Sequence, residues 1–591
     1  MRDQANMRTA AEALVDQLVE NGVRHAFCVP GESYLAVLDA MRDRDIALTV
    51  CRQEGGAAMM AEAVGKATDR PGICFVTRGP GATNASPGIH IARHDSTPMI
   101  LFVGQVARAT REREAFQEID VRGAFGSLAK WATEIDDAAR VGEIVSRAFH
   151  TATSGRPGPV VIGLPQDMLT EPVTAPSPLP FAPVETWPGA PDMAELEQLL
   201  AGAERPLLIL GGSRWNEPAG AAIKTFAERF ALPVVTSYRR APLFDPLHPC
   251  YAGDLGIGPN PKLVARIRQS DMVVLVGGRL GEIPSQGYAL FEIPTPRARL
   301  VHVHPGAEEL GRLYRPTLAI HASPVAFAAM AQTLTPPTVV SWRAETRAAH
   351  AEFLKWTDAP TEQPGDVNLG AVMVWLRENL PTDTILCNGA GNYAAWIHRF
   401  YRFRRFATHI APTSASMGYG MPSAVAMKRL YPKRPVISVN GDGDFLMNGQ
   451  EFATAVMYDL PIVVIICDNG LYGTIRMHQE REYPGRISGT SLRNPDFAAY
   501  ARAFGGFGAT VNKTADFGEA FQAAQQSGKP AIVHLKIDPE AITPTTTLSK
   551  IRAQARAAAV GRRKAAAADV PIRSSQNILR SDGPSRSAAC N

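Results

Sequence analysis

Two acids and an amide, Asp442, Asp444 and Asn469, stand where chemistry on a metal-bound phosphate would need them. Asp442 lies in Gly441-Asp442-Gly443-Asp444, and 25 residues separate Gly443 from Asn469. Carboxylate and amide oxygens are hard donors that suit Mg²⁺ shared with phosphate oxygens. The glycines let backbone N–H groups approach a phosphate closely, at a helix N-terminus that favours negative charge. For these groups to act together, two chain segments must end side by side. Residues 435–440 and 461–467 are apolar and β-branched and read as buried strands, and 445–458 between them has helical apolar spacing. A strand–loop–helix–strand unit of this kind delivers both polar ends to the carboxyl edge of a parallel sheet, where α/β proteins bind ligands. Taken alone, Gly-Asp-Gly is equally a tight turn with an N-capping Asp. Glu54, opening a helix just after the strand 47–51, is by itself an acid that stabilises a helix N-terminus.

Together, Gly441 to Gly443 and Asp468-Asn469 resemble the thiamine diphosphate (ThDP) motif, Gly-Asp-Gly followed one helix and one strand later by Asn-Asn; here Asp468 replaces the first Asn. The resemblance implies that Asp442, Asn469 and the carbonyl of Leu471 hold Mg²⁺ on the cofactor diphosphate, with Gly441, Gly443 and Asp444 alongside. It further implies that Gly391 and Asn392 contact the diphosphate, with Tyr393 standing where the family has His. Met417, in the stretch Ser416 to Pro422, becomes the wedge that bends the cofactor, a contact suited to an unbranched, polarisable side chain. Tyr472, Gly473, Thr474 and Ile475 join the cofactor contacts, Ile475 as an apolar neighbour of the pyrimidine. The segment Arg52 to Ala63 looks like the pyrimidine-domain helix of ThDP enzymes, which implies that Glu54 keeps the aminopyrimidine protonated at N1′.

Thr77 to Asn84, Asp95 to Pro98, Ala115 to Glu118, Leu128 to Trp131 and Arg156 to Val160 resemble acetolactate synthase, in order and across the first domain. That likeness implies that Gln117 positions the reacting substrate, whereas Lys130 reads as structural. The middle third offers four buried-strand candidates, at 207–210, 232–235, 272–276 and 299–303. There the synthases carry FAD. Arg279 fits that segment, but Leu280-Gly281-Glu282-Ile283 and His302-Val303-His304-Pro305 depart from it. Paired glycines after strands are weak signs of a nucleotide cradle. FAD is therefore expected to be absent, and His302 and His304 to be sheet-end residues. After Gly473-Thr474-Ile475 the substrate-selecting Trp of the synthases is missing, and Gly489-Thr490 through Arg493 to Phe497 looks like a feature shared more broadly, including with lyases and decarboxylases of the superfamily.

Alternating strands and helices imply parallel sheets covered on both faces. The expected fold is α/β, with three doubly wound parallel-sheet domains: 1–172 (pyrimidine-binding), 190–335 (middle, Rossmann-like) and 366–545 (diphosphate- and Mg²⁺-binding). Linkers are expected at 171–192 and 335–365, and a flexible basic tail at 548–591. The chain has 591 residues, 45% of them hydrophobic and 20% charged, which suits globular domains. Its net charge of +4 misleads, because residues 548–591 hold nine Lys/Arg against two Asp and leave the remainder near −3. No basic face points to nucleic acid, no apolar run suits a membrane span, and the N-terminus shows no signal core. Seven scattered Cys imply reduced thiols in a cytoplasm.

The resemblance makes the protein a ThDP- and Mg²⁺-dependent enzyme that decarboxylates a 2-oxo acid and joins the remainder to a carbonyl acceptor, as a homodimer or a dimer of dimers. Its alternative within the superfamily is a 2-oxo acid decarboxylase or C–C lyase. A non-catalytic homologue would have lost Glu54, Asp442 or Asn469, all of which are present. An NAD-dependent dehydrogenase would need a Gly-x-Gly-x-x-Gly turn that the middle third lacks.

Overall fold

Strand and helix alternate along the chain into three six-stranded sheets, each parallel throughout. The computed structural model describes residues 7–174 and 180–568. The first sheet runs, edge to edge, Ala47–Val50, His25–Cys28, Gly72–Val76, Met99–Gln105, Pro159–Pro165 and Trp131–Glu134. The second runs Tyr251–Leu255, Val234–Ser237, Pro206–Leu210, Met272–Val276, Arg299–His304 and Leu318–His321. The third runs His409–Ile410, Ile385–Asn388, Val436–Gly441, Val463–Asp468, Ala531–Lys536 and Phe507–Val511. Every residue of Met99–Gln105, Pro159–Pro165 and Met272–Val276 is buried, as sheets covered on both faces require.

Several elements differ from expectation for identifiable reasons. The helix expected at 445–458 is broken into Asp442–Phe445 and Glu451–Met457, and Leu446 and Met447 stand exposed between them. The linker expected at 335–365 contains a helix, Arg343–Thr357, held by a narrow buried stripe of Trp342, Thr346, Ala349 and Phe353. Trp342 donates its ring N–H to the Phe230 carbonyl at 2.9 Å. In the middle sheet, the edge strands Tyr251–Leu255 and Leu318–His321 escaped the search for continuous apolar runs, because Gly253 and Asp254 interrupt one and burial alternates in the other. The basic stretch expected as a flexible tail, whose composition is helix-like at its start, opens with a helix, Leu548–Ala568, whose Leu548 and Ile551 pack with Ile542. Residues 569–591 lie outside the described residues.

The first and third domains meet along the helices Glu54–Thr68 and Gly420–Leu430, within one shared apolar core. Inside that junction sits a charged cluster. Lys66 Nζ lies 2.5 Å from Asp95 and 3.2 Å from Glu62, and donates to the Ala411 carbonyl at 2.9 Å. Tyr419 donates its hydroxyl to Glu62 at 2.5 Å, and Thr413 donates both N–H and hydroxyl to Asp95. Burial holds the Glu62 carboxyl above its ordinary range, whereas Lys66, working against burial, keeps Asp95 below its own. One ammonium therefore serves two buried carboxyls of its own domain, and all three groups take partners across the domain boundary.

Removing one partner of a buried ion pair typically costs about 3–5 kcal/mol, because a buried charge is left uncompensated. Lys66→Met, which keeps the aliphatic stem, is expected to destabilise the protein by about that amount. Adding Glu62→Gln should restore part of the loss, and chemical denaturation of the two variants measures both.

Candidate active site

The third sheet fixes the geometry of the acidic half. Gly441 pairs with Cys467, so Asp442 and Asn469 emerge at the same carboxyl edge. The expected loop at Gly441 to Asp444 is the first turn of a short helix, Asp442–Phe445, with Asp442 almost wholly buried. Asn494 Nδ2 donates to Asp442 Oδ2 at 2.6 Å and to Asp468 Oδ1 at 2.7 Å. The other Asp468 oxygen accepts from His534 Nε2 at 2.8 Å and Lys536 Nζ at 2.7 Å. Burial pushes the Asp442 carboxyl up to about 6 despite the bond from Asn494. At Asp468 burial acts in the same sense, but hydrogen bonds from His534, Lys536 and Asn494 outweigh it and hold the carboxyl far below its ordinary range.

Asn494 arrives on a segment that lies along residues 470–472. Tyr472 donates its N–H to the Thr490 carbonyl at 2.9 Å, and Leu492 donates to Gly470 at 2.8 Å. Asn469 Oδ1 accepts the Leu471 N–H at 3.1 Å, closing a tight turn between Asp468 and the helix Gly473–Glu482. The sequence singled out Arg493 to Phe497 but assigned it no task. Its Asn holds Asp442, Asp496 caps the helix Phe497–Ala503, and Phe497 packs edge-on against His534.

Asp444 spends its carboxylate on the protein. Its Oδ1 accepts the N–H of Ala390 at 3.1 Å and of Gly418 at 2.8 Å, and its Oδ2 accepts the Tyr393 hydroxyl at 2.7 Å. It thus ties the turn carrying Gly391 and Asn392 to the turn carrying Met417. Gly418, at φ 81°, takes a left-handed conformation that a side chain would strain. Asn392 accepts the Thr474 hydroxyl at 2.9 Å and donates to the Ile542 carbonyl at 3.1 Å, which places Gly473 and Thr474 beside that turn. Ile475 is 55% exposed. No motif or periodicity marks Arg239, a buried residue of the middle domain at φ 58°, whose guanidinium reaches the carbonyls of Gly389 and Pro412 at the heads of the two turns.

Glu54 and Gln117 come together elsewhere. Glu54 is the first residue of the helix Glu54–Thr68, and its Oε2 accepts from Asn84 Nδ2 at 3.0 Å. The Gly-rich stretch before Asn84, expected as a turn, is a short helix, Gly79–Asn84. The Gly79 N–H donates to the Gln117 carbonyl at 2.8 Å, so both candidates are tethered to one segment. Gln117 lies at φ 64°, beside a Phe116 that is 72% exposed. Among the described residues, no hydrogen bond or ion pair joins Glu54 or Gln117 to the group around Asp442. Lys130 donates to the Ser154 carbonyl, and His302 and His304 are buried at the strand end on protein partners, Gly278 and Gly306.

The helix Gly473–Glu482 is held from the outside by the helix Leu548–Ala568. Arg552 grips the buried Glu480 through Nη2 at 2.6 Å and Nε at 2.8 Å, and Arg476 and the Gly485 N–H complete its shell.

Three family descriptions match in chain order: the thiamine pyrophosphate enzyme N-terminal TPP binding domain over 8–124, the central domain over 193–331 and the C-terminal TPP binding domain over 389–535. The chain is 31% identical to the acetolactate synthase large subunit of Parasynechococcus marenigrum over 549 residues, covering 90% of this chain and 87% of that one. It is 29% identical to the acetolactate synthase isozyme 2 large subunit of Escherichia coli, covering 89% and 95%. With the acetolactate synthase of Bacillus subtilis the identity is 27%, covering 89% and 93%.

Arg552, more than burial, sets the Glu480 carboxyl, which is held at about 2 against an ordinary 4.5. A depressed carboxyl gives stability that is complete above its unfolded pKa and is lost as pH falls through its folded one. Docking of the C-terminal helix is expected to weaken as pH falls from 4.5 toward 2, and Glu480→Gln to weaken it at neutral pH. Faster amide exchange across residues 548–556 would register both.

Proposed function

The chain belongs to the thiamine pyrophosphate enzymes and is an acetolactate synthase-like member of them; from that premise we propose how its own residues hold ThDP and Mg²⁺ and what they do there. One observation carries the reading: the register that brings Asp442 and Asn469 to one sheet edge at the start of a glycine-flanked helix. The donors suit the group. Asp442, the Asn469 amide oxygen and the Leu471 carbonyl are hard oxygens of the kind Mg²⁺ takes alongside phosphate. Burial already opposes the Asp442 charge, an opposition that a bound cation would relieve. A Cβ at Gly443 would meet Tyr472 Cε1 at 2.6 Å, so the backbone there stays bare.

When bound, ThDP supplies a carbon nucleophile and an electron sink for the loss of CO₂ from a 2-oxo acid. Asp442, Asn469 and Leu471 hold the metal, while Gly391, Asn392, Gly441, Gly443, Asp444 and Thr474 form the surroundings of the diphosphate. Tyr472, Gly473, Ile475 and Met417 would border the cofactor beyond its diphosphate. Glu54 keeps a proton at the aminopyrimidine N1′, oriented by Asn84, and Gln117 positions the substrate. Because Glu54 and Gln117 have no partner near Asp442 among the described residues, a second copy completes each site. Exposed Phe116, Leu446, Met447 and Ile475 near the two halves support a homodimer.

FAD is left out of this chemistry. The reaction transfers no net electrons, and the strand Arg299–His304 of the middle sheet ends in buried, protein-bound His302 and His304 where a ribose hydroxyl would seek a carboxylate. A reducing cytoplasm suits six described cysteines that are all buried and unpaired. Among the described residues no helix is long and apolar enough to cross a membrane, and neither a lipid nor a nucleic-acid partner is proposed.

One observation favours a second reading, decarboxylation to an aldehyde or C–C cleavage. The Tyr393 hydroxyl, at the family's His position, is committed to Asp444, and burial raises its pKa well above the ordinary value. It offers no free acid or base to an acceptor carbonyl.

Purified protein supplied with ThDP, Mg²⁺ and pyruvate, and no FAD, is expected to yield acetolactate; acetaldehyde alone would select the second reading. Glu54→Gln should lower kcat by about 10²–10⁴-fold, the range of a lost proton-transfer partner, and intact turnover would refute the assignment. Asn494→Ala, which frees the Asp442 side chain, should weaken Mg²⁺-dependent ThDP binding by about 10–100-fold, as loss of an outer-shell partner does. Fluorescence titration of the cofactor-free protein reads that change.

A further inference from the structure

The approach to Glu54 is held in place by a different domain. Residues Val50 to Gln53 join the first-domain strand Ala47–Val50 to the helix that Glu54 opens, and the backbone N–H groups of Val50, Arg52 and Gln53 find partners on the third-domain helix Glu451–Met457 and its C-cap, Tyr458. The Tyr458 hydroxyl accepts the Val50 N–H at 2.9 Å. Glu451 Oε1 accepts the N–H of Arg52 at 3.0 Å and of Gln53 at 3.0 Å, the two amides immediately ahead of Glu54. Glu451 Oε2 takes the Thr454 hydroxyl at 2.6 Å and lies 3.3 Å from the Arg52 N–H. Farther along, Met457 Sδ lies 3.7 Å from Arg52 Nη2.

Glu451 is fully buried, and burial pushes its carboxyl up. A buried carboxylate is costly unless hydrogen bonds and a favourable field meet it. Here two backbone amides, a hydroxyl and the positive end of the Glu54 helix do so. Helix starts are ordinarily capped by a Ser, Thr, Asp or Asn at the start itself. Gln53 does part of that task through its side chain, bonded to the Gly56 N–H at 3.0 Å, while Glu451 comes from 399 positions downstream. Gly56 leaves the room: a Cβ there would stand 2.7 Å from Glu451 Oε1.

We propose that Glu451 is the positioning residue for Glu54, fixing through the Arg52 and Gln53 amides the direction in which the first turn of that helix presents its carboxylate. It touches neither the Glu54 carboxylate nor any residue assigned to the diphosphate or metal, so it acts through the backbone. A carboxylate that must meet one ring nitrogen tolerates little displacement, and about 1 Å of misplacement can cost 10²-fold in rate. This inference rests on the role of Glu54 given above.

The experiment is a double-mutant cycle on the full-length protein with ThDP, Mg²⁺ and pyruvate. Glu451→Ala is expected to lower kcat at least tenfold in the wild-type background and less than twofold beside Glu54→Gln, with the ThDP dissociation constant changed less than threefold. Amide exchange at Arg52 and Gln53 should quicken in the cofactor-free variant. Glu451→Gln, which keeps an acceptor oxygen for both amides, should retain more than a third of kcat. Should Glu451→Ala fail to fold, Gly56→Ala displaces the same carboxylate without removing it and is expected to reproduce the kcat loss and its disappearance beside Glu54→Gln. Equal fold-losses in both backgrounds, or unchanged turnover in Glu451→Ala and Gly56→Ala, would overturn the proposal while leaving Glu54 in its role. A fully active Glu54→Gln would instead overturn the role of Glu54, and this inference with it.

Discussion

A carboxylate taken out of water must be met by donors or by a cation, and the architecture of this protein follows from where those partners are found. Glu62 and Asp95 share Lys66 and reach across the boundary to Tyr419 and Thr413. Asp444 is satisfied by two N–H groups and a tyrosine hydroxyl from turns far apart in sequence. Glu451 is satisfied by the backbone of another domain. Each acid is thereby a joint. The first and third domains cannot separate, or the cofactor turns shift, without exposing an unpaired charge or orphaned donors in an apolar interior.

Against that background the region around Asp442 stands apart. Its carboxylate is buried, receives one amide hydrogen bond and is pushed up toward neutrality, whereas its neighbour Asp468 is fully compensated by His534, Lys536 and Asn494. The contrast separates an acid kept for a ligand from one built into the scaffold. Asp468 stands where the motif that the sequence resembles has an amide, and the surrounding chain supplies Lys536 and hydrogen bonds from His534 and Asn494 to the carboxylate there.

The acceptor side is where this chain leaves its relatives. Tyr393 replaces a His, and its hydroxyl is drawn inward to Asp444. The helix after Gly473 brings Ile475 and Met477 but no Trp before its end at Glu482. Under the proposed function, both features bear on what meets the product carbon rather than on the residues assigned to the cofactor.

The chain's order of strands and helices could be read directly, because buried parallel strands are continuous apolar runs, and the motif residues beside them are what the proposal for Glu54, Asp442, Asn469 and Met417 starts from. Resemblance alone marks Arg493 to Phe497, as a feature shared broadly in the superfamily, without a task. Local pattern was blind to edge strands broken by Gly253 and Asp254, to a helix with a narrow buried stripe at Arg343–Thr357, and to the docked start of Leu548–Ala568. Only the tertiary structure assigned Asn494 to Asp442, Arg239 to the two cofactor turns and Glu451 to the approach to Glu54. Those pairings join residues up to about four hundred positions apart through single hydrogen bonds, which leave no periodicity in a sequence. Motif and hydropathy determine which chemistry the chain can hold; the packing of domains decides which way its carboxylates face.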